Sequence, residues 1–444
     1  MEQDDLSEAM TFGVEPYLSA DYAKAEGQHV WSKVWQHACR LEEIPYIGDY
    51  VTYDILDDSV LIVRTGNDEF KAYHNVCMHR GRRLADERCG HAAQFRCKFH
   101  GWRWNLEGEN VHVVERPDWE GVLKPERIRL GEVRCDTWGG WIWINLDPDC
   151  GPLLDYLEPA AQMLDPFQFE NMRYRWRQWC YFDCNWKVAI EAFIETYHVE
   201  GTHPQLLRYA DFYTWSKPAG LHSVHGFAER KHDPDIAANN TLIRAGKGDD
   251  PRITTAEMQR EILETVNAST TQTLVDAAER LVDELPEGTP AGEVMAHFIE
   301  SAKRDDAARG VIWPDIDPEH YGATGIDWHV FPNMSLQHGY SFLLCYRARP
   351  AGYDPEKCIF ETAVLELFPE GEEPKTEWVY AEPTAENWRS VLAQDFDNMK
   401  AVQRGMKSRG FPGTLPNPKQ ERPVVNFHRN LAAMVGGDTP RPLE

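Results

Sequence analysis

Two short clusters of cysteine and histidine constrain this chain more than any other feature. Cys77 and His79 form the first cluster, Cys97 and His100 form the second, and seventeen residues separate the two. Each cluster offers one thiolate and one imidazole, which are common ligands of zinc and iron. Zinc modules usually place two cysteines before two histidines, so the alternating order favours a pair of irons over a single zinc ion.

The alternating ligands predict a Rieske [2Fe–2S] cluster, in which two cysteines hold one iron and two histidines hold the other. Such a centre accepts single electrons at a higher potential than an all-cysteine cluster. Gly81 and Gly90 are expected to allow tight turns beside the ligands. Gly101 is expected to let backbone amides approach the inorganic sulfides as hydrogen-bond donors. The flanks therefore suit a pair of cluster-binding loops.

The ligands lie within two longer motifs, Asn75-Val76-Cys77-Met78-His79-Arg80-Gly81 and Cys97-Lys98-Phe99-His100-Gly101-Trp102. These motifs resemble the Rieske domain of the large (α) subunit of Rieske non-haem iron oxygenases, of the aromatic-ring-hydroxylating dioxygenase type. The resemblance implies an α+β chain, with a small all-β Rieske domain and a larger catalytic domain. The larger domain would hold a mononuclear Fe(II) in a central antiparallel sheet flanked by helices. A Rieske electron-transfer protein without oxygenase activity is the alternative from another class.

A second metal site is predicted around His198 and His203. Five residues apart, these side chains diverge on an unbroken helix, so both can bind one ion only if the helix breaks between them. Gly201 provides a break, and Pro204 adds to it because the residue before a proline is biased out of the helical region. We therefore expect His203 to bend back toward His198.

Two histidines and one carboxylate form the arrangement that binds ferrous iron and leaves positions open for dioxygen and substrate. Asp395 lies in a segment that resembles the one carrying the family's third iron ligand. Asp397, two residues further on, lies on a different helical face and is the alternative.

The resemblance assigns a bridging role to Glu195, three residues before the first iron histidine. Family members often have aspartate there, and it links a Rieske histidine of one subunit to the iron histidine of the next. In this chain Glu195 would connect His100 of one subunit to His198 of its neighbour. The alternative is a surface carboxylate paired with lysine or arginine. Glu191 is either a further partner of the site or a solvated charge.

The expected redox partners are inferred from the cofactor motifs that the chain lacks and from the family resemblance. Neither a Rossmann-type glycine fingerprint nor a flavin motif is present, so NAD(P)H would act only through a separate flavin reductase, with or without a ferredoxin. Dioxygen is the expected co-substrate. The family resemblance implies a head-to-tail homotrimer, with or without a β subunit. The net charge of −26 argues against nucleic acid and anionic membranes as partners.

A basic segment stands out on this acidic chain, opposed only by Asp86 and Glu87. Its members are Arg80, Arg82, Arg83, Arg88, Arg96, Lys98 and Arg103. One interpretation is a docking face for an acidic ferredoxin or reductase. The other is pairing with carboxylates of an adjacent subunit around Glu195.

We expect a cytoplasmic protein. The acidic start Met1-Glu2-Gln3-Asp4-Asp5 does not resemble a signal peptide, and no apolar run is long enough to span a bilayer. The ten cysteines show no disulfide-like spacing, which suits free thiols in a reducing compartment.

The hydrophobic pattern predicts an amphipathic helix from Ser19 to His37, followed by two domains. Residues 38–150 form the Rieske domain, and 1–37 with 151–444 form the catalytic domain, with a helical insertion at about 228–325. Thr254 to Glu257 resembles a capping box within that insertion. The predicted strands are 50–53, 60–63 and 141–144 in the first domain, and 334–337, 341–346 and 362–367 in the second.

The expected substrate is an aromatic or similarly hydrophobic compound, hydroxylated or oxidatively demethylated. Ala192 stands where some family members have a larger polar side chain, which predicts a roomier or less polar pocket. A betaine-like or carnitine-like quaternary amine, held by aromatic rings, is the alternative.

Overall fold

The computed structural model describes residues 8–228 and 250–443. The chain divides into two compact units, one of Lys24–Tyr156 and one of Met1–Ala23 with Leu157–Glu444. The small unit is thus wider than the range of 38–150 expected from the strands. The acidic start and residues 229–249 of the predicted insertion lie outside the described residues.

The small unit is built on a seven-stranded antiparallel sheet. Its strands, in spatial order, are Gln36–Arg40, Trp141–Asn145, Glu132–Trp138, Phe70–His74, Asp58–Arg64, Asp49–Ile55 and Cys89–His91. The three strands predicted from apolar and alternating patterns are confirmed. Gly90 does not form a turn; it lies in the last strand, where a Cβ atom would come within 2.7 Å of Tyr50 Oη.

A three-stranded sheet of Phe95–Arg96, Arg103–Trp104 and Asn110–His112 completes the small unit's β structure. Short helices in this unit are Leu41–Glu43, Arg116–Trp119 and Pro125–Ile128. Tyr73, Trp102 and Trp104 pack in one buried cluster with Cys77 and Cys97. The two predicted cysteine ligands of this unit therefore lie within an aromatic core.

The predicted helix from Ser19 to His37 is too long. The structure has a helix at Ala20–Glu26, continued by a π-helical turn at Gly27–Trp31. The chain then enters the strand Gln36–Arg40, where His37 pairs with Trp143. The apolar residues that suggested a longer helix are buried as expected, but sheet pairing takes over the backbone hydrogen bonds.

The large unit is built on an eight-stranded sheet, antiparallel except for its last pair. In spatial order its strands are Thr214–Ala219, His222–Phe227, Asp327–Val330, Met334–His338, Phe342–Pro350, Cys358–Glu366, Arg173–Phe182 and Val379–Tyr380. A separate strand pair joins Met10–Thr11 to Arg441–Pro442. The predicted α+β class, with a small β unit and a larger unit around an antiparallel sheet, is confirmed.

Helices flank this sheet. They include Glu15–Leu18, Ala160–Leu164, Trp186–Glu191, Val199–Thr202, Leu206–Arg208, Pro251–Thr265, Gln272–Glu279, Leu281–Glu284, Ala291–Ala308, Pro318–Thr324, Ala385–Gly405 and Arg422–Val435. The described part of the insertion is helical, as predicted. Its first helix is capped by Asp250, whose side chain accepts from the Arg252 N–H, so the capping box predicted at Thr254 is wrong. Within the described ranges, no helix is both long and apolar enough to cross a bilayer.

Candidate functional site

The two cysteine–histidine loops of the small unit repeat one backbone geometry. Each cysteine N–H donates to the carbonyl five residues later, at 2.7 Å for Cys77 and 2.9 Å for Cys97. The glycine four residues after each cysteine donates back to that cysteine's carbonyl, at 2.9 Å for Gly81 and 3.0 Å for Gly101. Both glycines have positive φ, +76° and +74°. Since L side chains rarely adopt that conformation, glycine is needed at both turns.

The loops bring together the side chains expected to hold a cluster. Cys77 and Cys97 are buried, and the His79 and His100 rings lie 4.6 Å apart between centroids. Burial is the main influence on the pKa of Cys97, but hydrogen bonds from the Phe99 and His100 amides bring the pKa below its ordinary value. Backbone amides therefore approach the Cys97 sulfur, and their approach to inorganic sulfides stays a prediction.

His79 provides a test of whether a cluster fits these loops. Its ring stacks on Trp102 with centroids 4.9 Å apart and planes 7° apart, so its orientation is held. Its Nδ1 atom is buried and finds no hydrogen-bond partner in the described structure. Buried polar atoms are rarely left unpaired, and a metal ligand explains this one. The residues present thus fit a [2Fe–2S] cluster.

Part of the basic segment is already paired within the small unit. Arg82 and Lys98 both contact Asp86, at 2.8 Å and 3.0 Å, and Arg83 contacts Asp54 at 3.0 Å. These side chains are partly exposed, and such pairs contribute little stability. The docking face and the pairing with an adjacent subunit both stay predictions, because intrachain pairs of this kind leave the side chains partly exposed.

In the large unit the chain leaves the helical conformation at His203, whereas Gly201, which was predicted to break the helix, lies inside a short helix. After the helix Trp186–Glu191, the short helix Val199–Thr202 ends at His203. His203 has φ −121° and ψ 54°, outside the helical region, in line with the proline that follows it. The break brings the His198 and His203 rings to 5.3 Å between centroids.

Asp395 completes a three-residue group with these histidines. Its Oδ1 lies 2.9 Å from His203 Nε2 and 3.7 Å from His198 Nε2. One ligand atom from each residue lies within 4.8 Å of the other two, close enough for one metal ion. Asp395 is buried in the helix Ala385–Gly405, whereas Asp397 is exposed. The structure therefore brings Asp395, and not Asp397, to the histidines.

Both rings are held through their other nitrogen. His198 Nδ1 lies 2.7 Å from Glu195 Oε1, and His203 Nδ1 lies 2.8 Å from Gln394 Oε1. Because a carboxylate or amide oxygen only accepts, both Nδ1 atoms donate, and both Nε2 atoms face Asp395. Metal-binding histidines typically have this arrangement, so the residues fit a mononuclear iron.

Charge around His198 is strongly negative. Burial disfavours the charged ring, but the charge and hydrogen bond of Glu195, together with Asp395, raise the pKa of His198 to about 9. The Glu195 carboxylate also accepts from the His198 backbone N–H at 3.1 Å. Such an excess of negative charge around a ligand group favours a bound cation.

Glu191 and Gln394 both make contacts that bear on the sequence predictions. Glu191 is not a solvated charge; its carboxylate lies 2.6 Å from His428 Nε2 and 2.9 Å from Tyr17 Oη. Gln394, which orients His203, was missed, because nothing in its sequence surroundings marks it apart from its position next to Asp395. These contacts depend on segments far apart in the chain.

A cavity of about 130 Å³ opens beside the three-residue group. Its apolar wall includes Ala192, Phe193, Phe212, Ile262 and Leu344. Its polar side includes Ser269, Asp327, Gln337 and His225. The prediction from Ala192 of a roomier or less polar pocket therefore fits one wall only.

Two family models match the chain. The model for the Rieske [2Fe–2S] domain matches residues 34–122, and that for the ring hydroxylating alpha subunit (catalytic domain) matches residues 169–437. The first contains both cysteine–histidine loops, and the second contains His198, His203 and Asp395.

Curated relatives include a glycine betaine monooxygenase oxygenase subunit from Pseudomonas aeruginosa, 31% identical over 181 residues, 41% of this chain and 42% of the relative. The naphthalene 1,2-dioxygenase large oxygenase component of Pseudomonas putida is 33% identical over 187 residues, 40% of this chain and 41% of the relative. The chain thus matches less than half the length of these relatives.

A solved structure of a quaternary ammonium Rieske monooxygenase shares the fold, with a TM-score of 0.65 and 17% identity over 97% of this chain and 96% of that one. The resemblance inferred from the two motifs is confirmed by the family models. The chain belongs to the ring-hydroxylating α-subunit family and carries a Rieske [2Fe–2S] domain ahead of its catalytic domain.

Proposed function

We propose that this chain is the terminal oxygenase component of a multicomponent system, and that it hydroxylates or oxidatively demethylates a small organic compound. The observation that supports this most directly is the convergence of His198, His203 and Asp395 beside a cavity. An electron carrier needs only the cluster, so a second ligand set with an adjoining cavity favours an oxygenase over the electron-transfer alternative.

When bound, the cluster would supply single electrons and the mononuclear iron would activate dioxygen beside the substrate. Cys77, His79, Cys97 and His100 would hold the cluster. His198, His203 and Asp395 would hold the iron, and three protein ligands would leave coordination positions for dioxygen and substrate. Glu195 and Gln394 keep the two iron histidines turned toward Asp395, at 2.7 Å and 2.8 Å from their Nδ1 atoms.

We assign to Glu195 the bridge between subunits. Its side chain is 7% exposed, and both carboxylate oxygens bind His198. A carboxylate has about four acceptor positions, so Glu195 can also accept from His100 of a neighbouring subunit. A head-to-tail homotrimer would bring each cluster to the iron of the next chain, and inter-subunit electron transfer is described for the solved quaternary ammonium Rieske monooxygenase.

The proposal also covers the electron donors, the assembly and the cellular compartment. Electrons would come from NAD(P)H through a flavin reductase, with or without a ferredoxin, and the trimer would assemble with or without a β subunit, as the resemblance implies. Free cysteines throughout the described chain, Cys77 and Cys97 included, suit the cytoplasm.

For the substrate, the apolar wall supports an aromatic or hydrophobic compound, as in aromatic hydrocarbon catabolism. A quaternary amine is the second candidate, supported by the glycine betaine relative and by the fold shared with the quaternary ammonium monooxygenase.

The variant His203→Ala tests the function. With a surrogate reductase, NADH and a panel of aromatic and quaternary ammonium compounds, the wild type should form product and the variant should form none. The Rieske spectrum of the variant should stay intact, because the cluster ligands lie in the other unit. Full turnover by the variant would show that the site is misassigned. A wild type that cycles its cluster but never consumes dioxygen would favour the electron carrier.

A further inference from the structure

Three of the polar residues that line the cavity face one another on adjacent strands. Asp327 pairs directly with His225 on one neighbouring strand and with Gln337 on the other. Directly opposed residues of an antiparallel sheet point to the same face, and all three line the cavity. The cavity thus contains a carboxylate that does not belong to the three-residue group of His198, His203 and Asp395.

The Asp327 carboxylate has few hydrogen-bond donors among the described residues. Asp327 is 4% exposed, and its side chain contacts the Ser335 hydroxyl, which lies 2.9 Å from Oδ2 and 3.1 Å from Oδ1. That hydroxyl also lies 2.8 Å from the Phe193 carbonyl and has only one hydrogen to donate. Across residues 8–228 and 250–443, no basic side chain forms an ion pair with Asp327. A buried carboxylate is costly when it lacks a partner.

The neighbouring aromatic rings suit a cation. Phe193 and Tyr346 both line the cavity, and because they stack with centroids 3.9 Å apart, only the ring faces that they turn away from each other can meet a cation. Aromatic faces attract ammonium groups, more strongly where water is excluded. Burial raises the pKa of Asp327 to about 8, and a cation bound beside it would favour the ionised carboxylate.

We propose that Asp327 binds the cationic nitrogen of an amine or quaternary ammonium substrate within this cavity. The inference rests on the proposed function in that it takes the cavity as the substrate site. It narrows the substrate to a compound with a positively charged nitrogen at one end, whether its remainder is aromatic or aliphatic.

The test is equilibrium binding of two compounds of the same shape that differ in charge. Choline and its neutral isostere 3,3-dimethylbutan-1-ol would be titrated by calorimetry into the metal-loaded wild type and the Asp327→Asn variant. The wild type should bind choline about tenfold tighter or more, because hydrogen bonds and ion pairs to a buried charge are strong. Asp327→Asn should lose about that factor for choline and little for the alcohol.

Ser335→Ala is the matched control, since it removes the hydroxyl beside Asp327 and keeps the carboxylate. It should retain the preference for choline. Equal affinity of the wild type for both compounds, failure to bind choline, or an unchanged preference in Asp327→Asn would each overturn the inference. Even if Asp327→Asn does not fold, a wild type without a preference for choline overturns the inference.

The result of this binding test is independent of the turnover test of the proposed function, because binding requires no turnover. A protein that oxygenates a neutral compound and shows no preference for charge refutes only the substrate assignment. A protein that prefers choline and never consumes dioxygen refutes only the oxygenase assignment.

Discussion

The two ligand sets of this molecule are built in different ways. The four cluster residues lie within 77–100, on two loops that share one hydrogen-bond pattern. The iron group joins His198 and His203 to Asp395, which lies almost two hundred residues further along the chain. The first site is encoded by short motifs, and the second depends on the packing of the helix Ala385–Gly405 against the segment that follows Trp186–Glu191.

The two sets also differ in how their histidines are held. His79 stacks on Trp102, and its buried Nδ1 has no hydrogen-bond partner among the described residues, so its ring is placed by packing. His198 and His203 are placed by hydrogen bonds from Nδ1 to Glu195 and Gln394. We infer that the iron site is the more sensitive of the two to changes in surrounding polar residues.

The largest expected effect concerns the distant carboxylate. Asp395→Ala should lose the mononuclear iron and nearly all oxygenation, because two histidines alone hold iron weakly. Iron content and product formation measure this, with the cluster spectrum as an internal reference. Asp397→Ala is the matched control, as an exposed aspartate on the same helix. A greater loss of iron in Asp397→Ala than in Asp395→Ala would reverse the assignment.

Glu195→Gln tests the link between the two sites. The change keeps the volume and removes the charge, so both sites should stay loaded while electron transfer slows by about tenfold or more. Rapid reduction of the cluster, followed by single-turnover product formation, measures the rate. Transfer at the wild-type rate, or an active monomer in solution, would rule out the bridge between subunits.

A smaller effect is expected at Gln394, the partner of His203. Gln394→Leu should weaken iron binding by about tenfold, since outer partners of metal-bound histidines typically contribute that much. Gln205 is a useful comparison, because its amide contacts the same Gln394 oxygen at 2.9 Å without reaching the ring. Chelator titrations should show a much weaker effect for Gln205→Leu. Equal effects would indicate that Gln394 acts by packing alone.

A further expected effect is a dependence of stability on pH that Asp327 should cause in the large unit. Folded Asp327 keeps its proton up to about pH 8, whereas its ordinary pKa is 3.8. Between these values the folded state binds the extra proton, so this residue's contribution to stability falls as pH rises, by about 1 kcal/mol per unit.

Asp327→Asn removes that dependence. The melting temperature of the variant, relative to the wild type, should therefore be higher at pH 7.5 than at pH 5.5. The same difference at both pH values would argue that Asp327 is ionised in the folded protein throughout this range.

The contrast between the sites also explains what the sequence could predict. The cluster loops, the helix break at His203 and the apolar strands depend on neighbours in the chain, and their patterns indicated them directly. Asp395 was chosen over Asp397 only by family resemblance, because helical periodicity separates their faces without telling which one meets the histidines.

Other features required the folded chain. Asp327 lies in the strand Asp327–Val330, which is buried throughout and has no alternation to show which side chain faces a cavity. The first helix was predicted too long because the buried residues before His37 fit either a helix or a strand, and pairing with Trp143 decided between them.

The central claim is that one chain holds two independent metal sites, and metal analysis tests it most directly. Purified wild-type protein should contain three irons and two acid-labile sulfides per chain, the sum of one Rieske cluster and one mononuclear iron. Cys97→Ser should lose the sulfides, the cluster absorbance and the magnetic signal of the reduced cluster, and should keep the single iron of the large unit. Stoichiometric zinc without labile sulfide in the wild type would contradict the account.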